Sequence, residues 1–242
     1  MPAGTAVVVG VGAQAGLGAS LAECLAREGF RVFIVGRTAA NVEALAKAIE
    51  RAGGKAVPKV IDASCEAEVA ALFEAAAKED DLELIAYNVG NNLARPLLDL
   101  TAADFESLWR QNALGGFLVG REAVRHLLPK GRGTILFTGA TASLRARPPF
   151  TGFASAKAAL RAVAQGLARE FGPKGIHVAH VIIDGVIDGA FARDRFADFI
   201  LAKGEDGLID PRAIAQVYLD LHRQPKSAWT HELDLRPFKE TF

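Results

Sequence analysis

Cysteine is scarce in this chain: of 242 residues, only Cys24 and Cys65 carry a thiol. Two isolated cysteines form neither a metal-ligand spacing nor a redox pair. Both fall where helices are expected, so they read as small buried hydrophobes. Net charge is also lacking, with 28 Lys and Arg against 28 Asp and Glu. A balanced chain sets up no overall field that would draw it to nucleic acid or to an anionic membrane, so neither partner is expected. Long apolar runs are missing as well; none approaches the ~18 residues that a membrane helix needs. The first apolar run begins at Ala6 with no basic segment ahead of it. No signal peptide is therefore expected, and the expected location is cytoplasmic. The five histidines (His126, His177, His180, His222 and His231) have no metal-ligand company, so no metal site is expected. Tyrosine is rare too: Tyr87 and Tyr218 are the only two.

Half of the residues are apolar, ample for a sizeable core, and the length suits one α/β domain. Short apolar runs at Thr5–Val9, Arg31–Val35, Ala56–Ile61, Leu82–Asn88, Gly133–Thr138, Ile176–Ile183 and Trp229–Leu235 read as strands. Most are nearly continuous, as parallel strands buried on both faces should be. Helical patterns alternate with them. Leu17–Glu28 places Leu17, Leu21, Cys24 and Leu25 on one stripe; Asn41–Ala52 and Glu66–Lys78 do the same with Val42, Leu45 and Ile49, and with Val69, Leu72, Phe73 and Ala76. Thr101, three residues before Asp104, reads as the N-cap of a helix running to Leu128, and another helix covers Thr151–Phe171. The alternation predicts a doubly wound, mainly parallel, seven-stranded sheet in a single domain over 1–242. Ligands of such sheets bind outside the carboxyl ends of the strands. The least sheet-like stretch, 188–210, is expected to be a helical lid on the substrate side.

The first strand runs into Gly10-Val11-Gly12-Ala13-Gln14-Ala15-Gly16-Leu17-Gly18 and then into a helix. Glycines there allow a tight turn and close approach of backbone to a pyrophosphate, and the helix N-terminus offers free N–H groups to that anion. The strand–turn–helix setting makes this more specific than glycines alone. The expected contacts are Gly12, Gln14, Gly16, Leu17 and Gly18, in a Rossmann fold holding a dinucleotide. The spacing Gly12-x-x-x-Gly16-x-Gly18 is similar to the phosphate loop of the short-chain dehydrogenase/reductase family, with Val11 where that family usually has Thr.

From there the resemblance spans nearly the whole chain. Asn88-Val89-Gly90 resembles the end of the family motif after the fourth strand, with Tyr87 at its first position. Asn112 falls where the family has a helix-kinking active-site Asn. Ser155, Ala156 and Lys157 resemble the tail of Tyr-x-x-x-Lys. Asp184-Gly185-Val186-Ile187 stands where the family usually has Pro-Gly-x-Ile. The resemblance implies cofactor contacts from Asn88, Gly90, Lys157, Gly185 and Ile187. It also implies self-association as a homodimer or homotetramer, through helices Thr101–Leu128 and Thr151–Phe171. The stripes expected there include Phe105, Trp109, Leu114, Leu160, Val163 and Leu167, and Trp229–Leu235 offers a second interface.

Cofactor choice turns on the end of the second strand. An NAD site generally has an acid there to accept from the ribose hydroxyls. The family's position for it is 36, occupied by Gly36, and Arg37 and Thr38 follow. A guanidinium matches a 2′-phosphate in charge and geometry, so NADP(H) is the preferred cofactor, with NAD(H) as the alternative. Asp62 resembles the family's adenine-contacting acid, and Ala63 follows it.

The catalytic pattern departs from the family. Its tyrosine hydroxyl moves the substrate proton, the lysine four residues on lowers that hydroxyl's pKa and binds the nicotinamide ribose, and a serine steadies the substrate oxygen. Here the tyrosine position is Phe153 and the serine position is Ala140, while Asn112 and Lys157 remain. The chain thus resembles a divergent subgroup with an altered active site. General acid–base catalysis is worth about 10²–10⁴-fold, or roughly 3–5 kcal/mol of barrier. Thr141 and Ser143 are candidate substitutes, along with water near Asn112 and Lys157. Arg145 and Arg147 are placed to hold an anionic substrate, and Phe150, Phe153, Phe191, Phe196 and Phe199 suggest a small-molecule substrate with an apolar portion. Three functions are consistent with this pattern: an NADP-dependent oxidoreductase with an unusual proton donor, a dinucleotide-binding sensor or regulator, and a weakly catalytic subunit paired with an active relative.

Overall fold

The computed structural model describes residues 4–12, 15–79, 81–195 and 197–240, and the side chains at 191, 195, 197 and 199 are not described. Gln14, expected at the phosphate loop, and Phe196 lie outside the described residues, as do the side chains of Phe191 and Phe199.

The strands are β1 (Thr5–Val9), β2 (Arg31–Gly36), β3 (Lys55–Val60), β4 (Leu82–Tyr87), β5 (Thr134–Thr138), β6 (His177–Ile183) and β7 (Glu232–Leu235). They form one sheet in the order β3-β2-β1-β4-β5-β6-β7, and every described pairing is parallel. The central strands are nearly all apolar because both faces are covered. On one face, α1 (Leu17–Arg27), α2 (Ala39–Arg51) and α9 (Pro211–Arg223) close a core around Val8, Ile34 and Leu136. On the other face, α3 (Glu66–Glu79), α5 (Gly115–Leu127) and α6 (Thr151–Phe171) cover Val7, Ile85 and Phe137. The edge strand β3 reads differently. Its Pro58 lacks a donor and its Lys55 and Lys59 discourage further pairing, which suits a strand bonded on one side only. β1 sits between β2 and β4, so the chain reverses direction across the sheet there and leaves a crevice at the strand ends.

Four expectations need correction. The helix expected over Thr101–Leu128 is capped by Thr101, whose hydroxyl accepts from the Asp104 N–H at 3.1 Å. It is not one α-helix, however: α4 (Ala102–Trp109) passes through a wider π turn at Arg110–Leu114 before α5 begins. The last strand is shorter than Trp229–Leu235, because Trp229 Nε1 and the Thr230 N–H both bond Gln224 and hold that stretch in a turn. Cys65 is not helical; it precedes α3 and is half-buried, whereas Cys24 is buried in α1. Leu160 is no surface residue: it lies wholly in the core. The outward apolar side chains of the α4–α5 run are Phe105, Trp109 and Phe117.

The stretch 188–210 is a helical excursion, with α7 (Ala190–Arg195) and α8 (Ala197–Lys203). A parallel bridge between Ile187 and Ile209 ties its two ends together. Among the described residues, no helix is long and apolar enough to cross a membrane, and no group of three or more His, Cys, Asp or Glu is placed to hold a metal ion.

Candidate active site

The crevice at the strand ends is a cleft of about 1010 Å³, at the upper end of small-molecule sites, which run to roughly 1,000 Å³. Its first wall is the turn after β1. The Gly10 and Val11 N–H groups both donate to Val35 O at 2.9 Å, pinning the turn to β2. Gly10 has φ 97°, and a Cβ there would stand 2.6 Å from the Asn88 carbonyl carbon. A Cβ on Gly18 would stand 2.8 Å from Gly10 O, so Gly18 lets α1 approach the strand. Gly12 is different. Among the described residues, nothing lies within 4 Å of where its Cβ would be, and the same holds for Gly90, which also lines the cleft. Protein packing does not require either to be bare; both leave room for a ligand. Gly16 is the N-cap of α1 and supplies no side-chain cap, so the first-turn N–H groups at Leu17 and Gly18 face the cleft free of such a partner.

At the end of β2, Gly36 is buried, and a Cβ added there would press into the Val11 carbonyl oxygen and stand 3.0 Å from Val42 Cγ1. No acidic side chain fits there without a backbone shift. Arg37 is exposed beside it, lines the cleft and makes no hydrogen bond or ion pair among the described residues. Thr38 is the N-cap of α2 but its hydroxyl does not bond the helix, which leaves it available to a ligand. Asp62 and Ala63 complete this end. Asp62 Oδ1 accepts from the Ser64 N–H at 2.9 Å and from its hydroxyl at 2.8 Å, and these bonds hold the carboxyl below its usual pKa.

The other end of the cleft gathers Asn88, Gly90, Ala140, Thr141, Phe153, Lys157, Gly185 and Ile187. Lys157 is buried in α6, with Nζ donating to Thr138 O at 2.9 Å and Val89 O at 3.1 Å. Burial without a carboxylate partner pulls its pKa down to about 7. Phe153, one helical turn earlier, places its ring centroid 5.8 Å from that nitrogen. Asn88 is held in line by a chain in which Tyr218 donates to Thr138 at 2.8 Å and Thr138 donates to Asn88 Oδ1 at 3.0 Å.

Asn112 sits in the π turn, fully buried, and donates to Leu108 O at 2.9 Å and Asn91 O at 3.2 Å. It does not itself line the cleft; its neighbour Gln111 does. Asn112 Oδ1 is buried with no hydrogen-bond partner. Thr141 and Ser143 part company on the short helical turn after β5. Thr141 lines the cleft and its hydroxyl donates to Asp184. Ser143 turns inward, where its Oγ accepts from the Ala140 N–H at 3.1 Å and lies 3.5 Å from His180 Nε2. Tyr87 and Tyr218 are both fully buried, with hydroxyls bonded to Gln111 O and Thr138; burial raises both pKa values, and neither lines the cleft.

Sequence reasoning missed the Asp184 side chain, Asn92, Gln111 and Glu240 as cleft residues. Asp184 had a signal, an acid at a position where a proline is usual. It is 6% exposed and pairs with Arg236 at 3.0 Å. Glu240 carries no motif and reaches the cleft only through the path of the chain after β7.

The sequence model of the short chain dehydrogenase family matches residues 6–198. The gluconate 5-dehydrogenase of Gluconobacter oxydans is 31% identical over 186 residues, which are 76% of this chain and 70% of that protein. The crystal structure of a short-chain dehydrogenase from Rhodopseudomonas palustris is 42% identical with a TM-score of 0.83, covering 97% of this chain and 98% of that one. The gluconate 5-dehydrogenase of Burkholderia cenocepacia, solved in complex with NADP and tartrate, is 22% identical with a TM-score of 0.85 and shares the fold over 98% of this chain and 95% of its own.

Proposed function

The chain belongs to the short chain dehydrogenase family, and from that premise we propose that it is an NADP(H)-dependent oxidoreductase with an atypical proton donor. One observation carries the reading. Bare Gly12, the uncapped start of α1, Arg37 (without a hydrogen bond or ion pair among the described residues) and buried Lys157 converge on one cleft. A dinucleotide fits that set: pyrophosphate against Gly12, Gly16, Leu17 and Gly18, adenine against Asp62 and Ala63, and nicotinamide ribose beside Asn88, Gly90 and Lys157. Two of the three Lys157 N–H groups are given to backbone carbonyls, which leaves one for a ribose hydroxyl. Gly185 and Ile187 flank the nicotinamide end, and 188–210 serves as its lid. When bound, the nicotinamide supplies or accepts a hydride.

Arg37 and Thr38 favour the 2′-phosphate of NADP over NAD. Charge-assisted hydrogen bonds contribute about 1.5–3 kcal/mol, so Arg37→Ala is expected to weaken NADPH binding roughly tenfold to a hundredfold and NADH binding little. Calorimetry with both cofactors measures this; equal weakening of the two would remove the 2′-phosphate role.

For the proton, Thr141 is the better substitute for the missing tyrosine. It lines the cleft, and its hydroxyl donates to Asp184, so in the oxidation direction it can take the substrate's hydroxyl proton while passing its own to that carboxylate, and reduction runs the same relay in reverse from the protonated carboxyl; Ser143 faces away from the cleft. Asn112 acts by holding the backbone at Asn91 beside the site. A second reading has its own support: Phe153 and Ala140 remove two groups that act on the substrate oxygen. Firm NADPH binding with no turnover across a panel of ketones and enones favours an NADP(H)-binding sensor or regulatory protein instead.

Self-association is part of the proposal. Phe105, Trp109 and Phe117 point outward on the α4–α5 run, each 42% exposed. A homodimer or homotetramer is expected at micromolar concentration by light scattering, shifting toward monomer in Trp109→Lys. A monomeric parent protein overturns this.

A further inference from the structure

We propose that the substrate end of the cleft is built for an organic acid, its carboxylate held by Arg145 and Arg147 and its apolar body resting on Phe150 and Phe153. This rests on the oxidoreductase reading of the same cleft and names its substrate class. All four side chains line the cleft, with Ala140, Ala142 and Ile187 adding apolar surface between them.

Among the described residues, the acids lining the cleft besides Asp62 are Asp184 and Glu240, and both are already satisfied. Asp184 accepts from Thr141 and pairs with Arg236 at 3.0 Å. Glu240 accepts from Lys203 at 2.8 Å. Lys157 spends two N–H groups on backbone carbonyls deeper in the site. Arg145 reaches only the far limit of an ion pair, 4.0 Å from Asp184. The Arg147 guanidinium makes no hydrogen bond or ion pair among the described residues, although the residue lines the cleft. The substrate end therefore carries uncompensated guanidinium charge beside aromatic and aliphatic walls. Guanidinium groups present paired donors that match a carboxylate. Apolar walls favour a hydrocarbon body over a polyhydroxylated one.

The test uses 3-phenylpropanoate and its uncharged amide as probes, on the full chain both free and loaded with NADPH, with D-gluconate as the polar acid. Binding is read by calorimetry and by the change in NADPH fluorescence. The phenylpropanoate is expected to bind about tenfold or more tightly than the amide and than gluconate. Arg147→Gln should lose about tenfold for the acid and little for the amide, Arg145→Gln with Arg147→Gln should lose more, and Arg147→Lys should recover part. Equal binding of acid and amide overturns the proposal. So does an acid affinity unmoved by the glutamine variants, a preference for gluconate, or failure of every probe to bind. If NADPH itself fails to bind, the oxidoreductase reading falls, while titration of the free protein with the acid and amide still decides this one.

Discussion

The double variant Phe153→Tyr, Ala140→Ser is expected to raise NADPH-dependent reduction of simple ketones by about 10²–10⁴-fold, the usual worth of a positioned acid and its partner. Phe153→Tyr alone should gain little. The Phe153 ring already lines the cleft one turn before Lys157, so an added hydroxyl enters the site without refolding the helix. Lys157, with its pKa near 7, is charged in a substantial fraction of molecules at neutral pH and would favour the phenolate. Yet a tyrosine without a donor at 140 leaves the substrate oxygen unheld, and groups that act as a unit are not additive. The double change should therefore exceed the product of the two single effects. Steady-state rates on a ketone panel measure this. Brisk reduction of simple ketones by the unmodified protein would overturn this expected gain and would mean that the Thr141 route already serves such substrates at full rate. Thr141→Val and Asp184→Asn are the changes that would identify it.

Much of this architecture is legible in the sequence because parallel strands leave an unambiguous trace. Thr5–Val9 and Leu82–Tyr87 are runs that only a doubly covered sheet can bury, and the glycine turn between β1 and α1 fixes where the cleft opens. Other features leave no trace in a linear pattern. The π turn at Arg110–Leu114 keeps nearly the same apolar spacing as an α-helix, so periodicity does not show the break; Asn112, at the family's helix-kinking position, is the hint, and its side chain donates to Leu108 O there. Thr141 and Ser143 look equivalent as neighbouring hydroxyls. Only the short turn after β5 separates them, sending one to Asp184 and the other to His180. Leu160 reads in sequence as part of an outward stripe, and the tight fit of Gly116 beneath it places it in the core. Pairings such as Arg161 with Glu232, between distant segments, follow from the placement of β7 beside β6 and from nothing local.

That same pairing supports the other large expectation: the fold loses stability as pH falls from about 6.5 to 4. His180 is fully buried between β5 and β7. Its Nδ1 meets Glu232 Oε2 at 3.0 Å, and Arg161 clamps that carboxylate with two bonds of 2.6 Å. With Nδ1–H donating to Glu232, Nε2 is left to accept from the Ser143 hydroxyl, so the neutral ring satisfies both neighbours. Burial, the largest influence, outweighs the attraction of Glu232, and the nearby Lys157 and Arg161 charges add to it; the pKa falls from 6.5 to about 4. The unfolded chain thus takes up a proton near pH 6.5 that the folded chain refuses until about pH 4. Across that window the unfolded state binds more protons, so stability declines on acidification, by about 3 kcal/mol for His180. His222, also lowered to about 4 by burial, and His177 push in the same direction. For a chain of this size 3 kcal/mol is a Tm drop of roughly 6–12 °C. Urea or thermal unfolding at about pH 7.5 and about pH 4.5 measures it, and His180→Gln should start less stable yet show a shallower pH slope. An unfolding free energy that stays flat over this range, or a slope unchanged in His180→Gln, would show that the buried ring is not what makes the fold acid-sensitive.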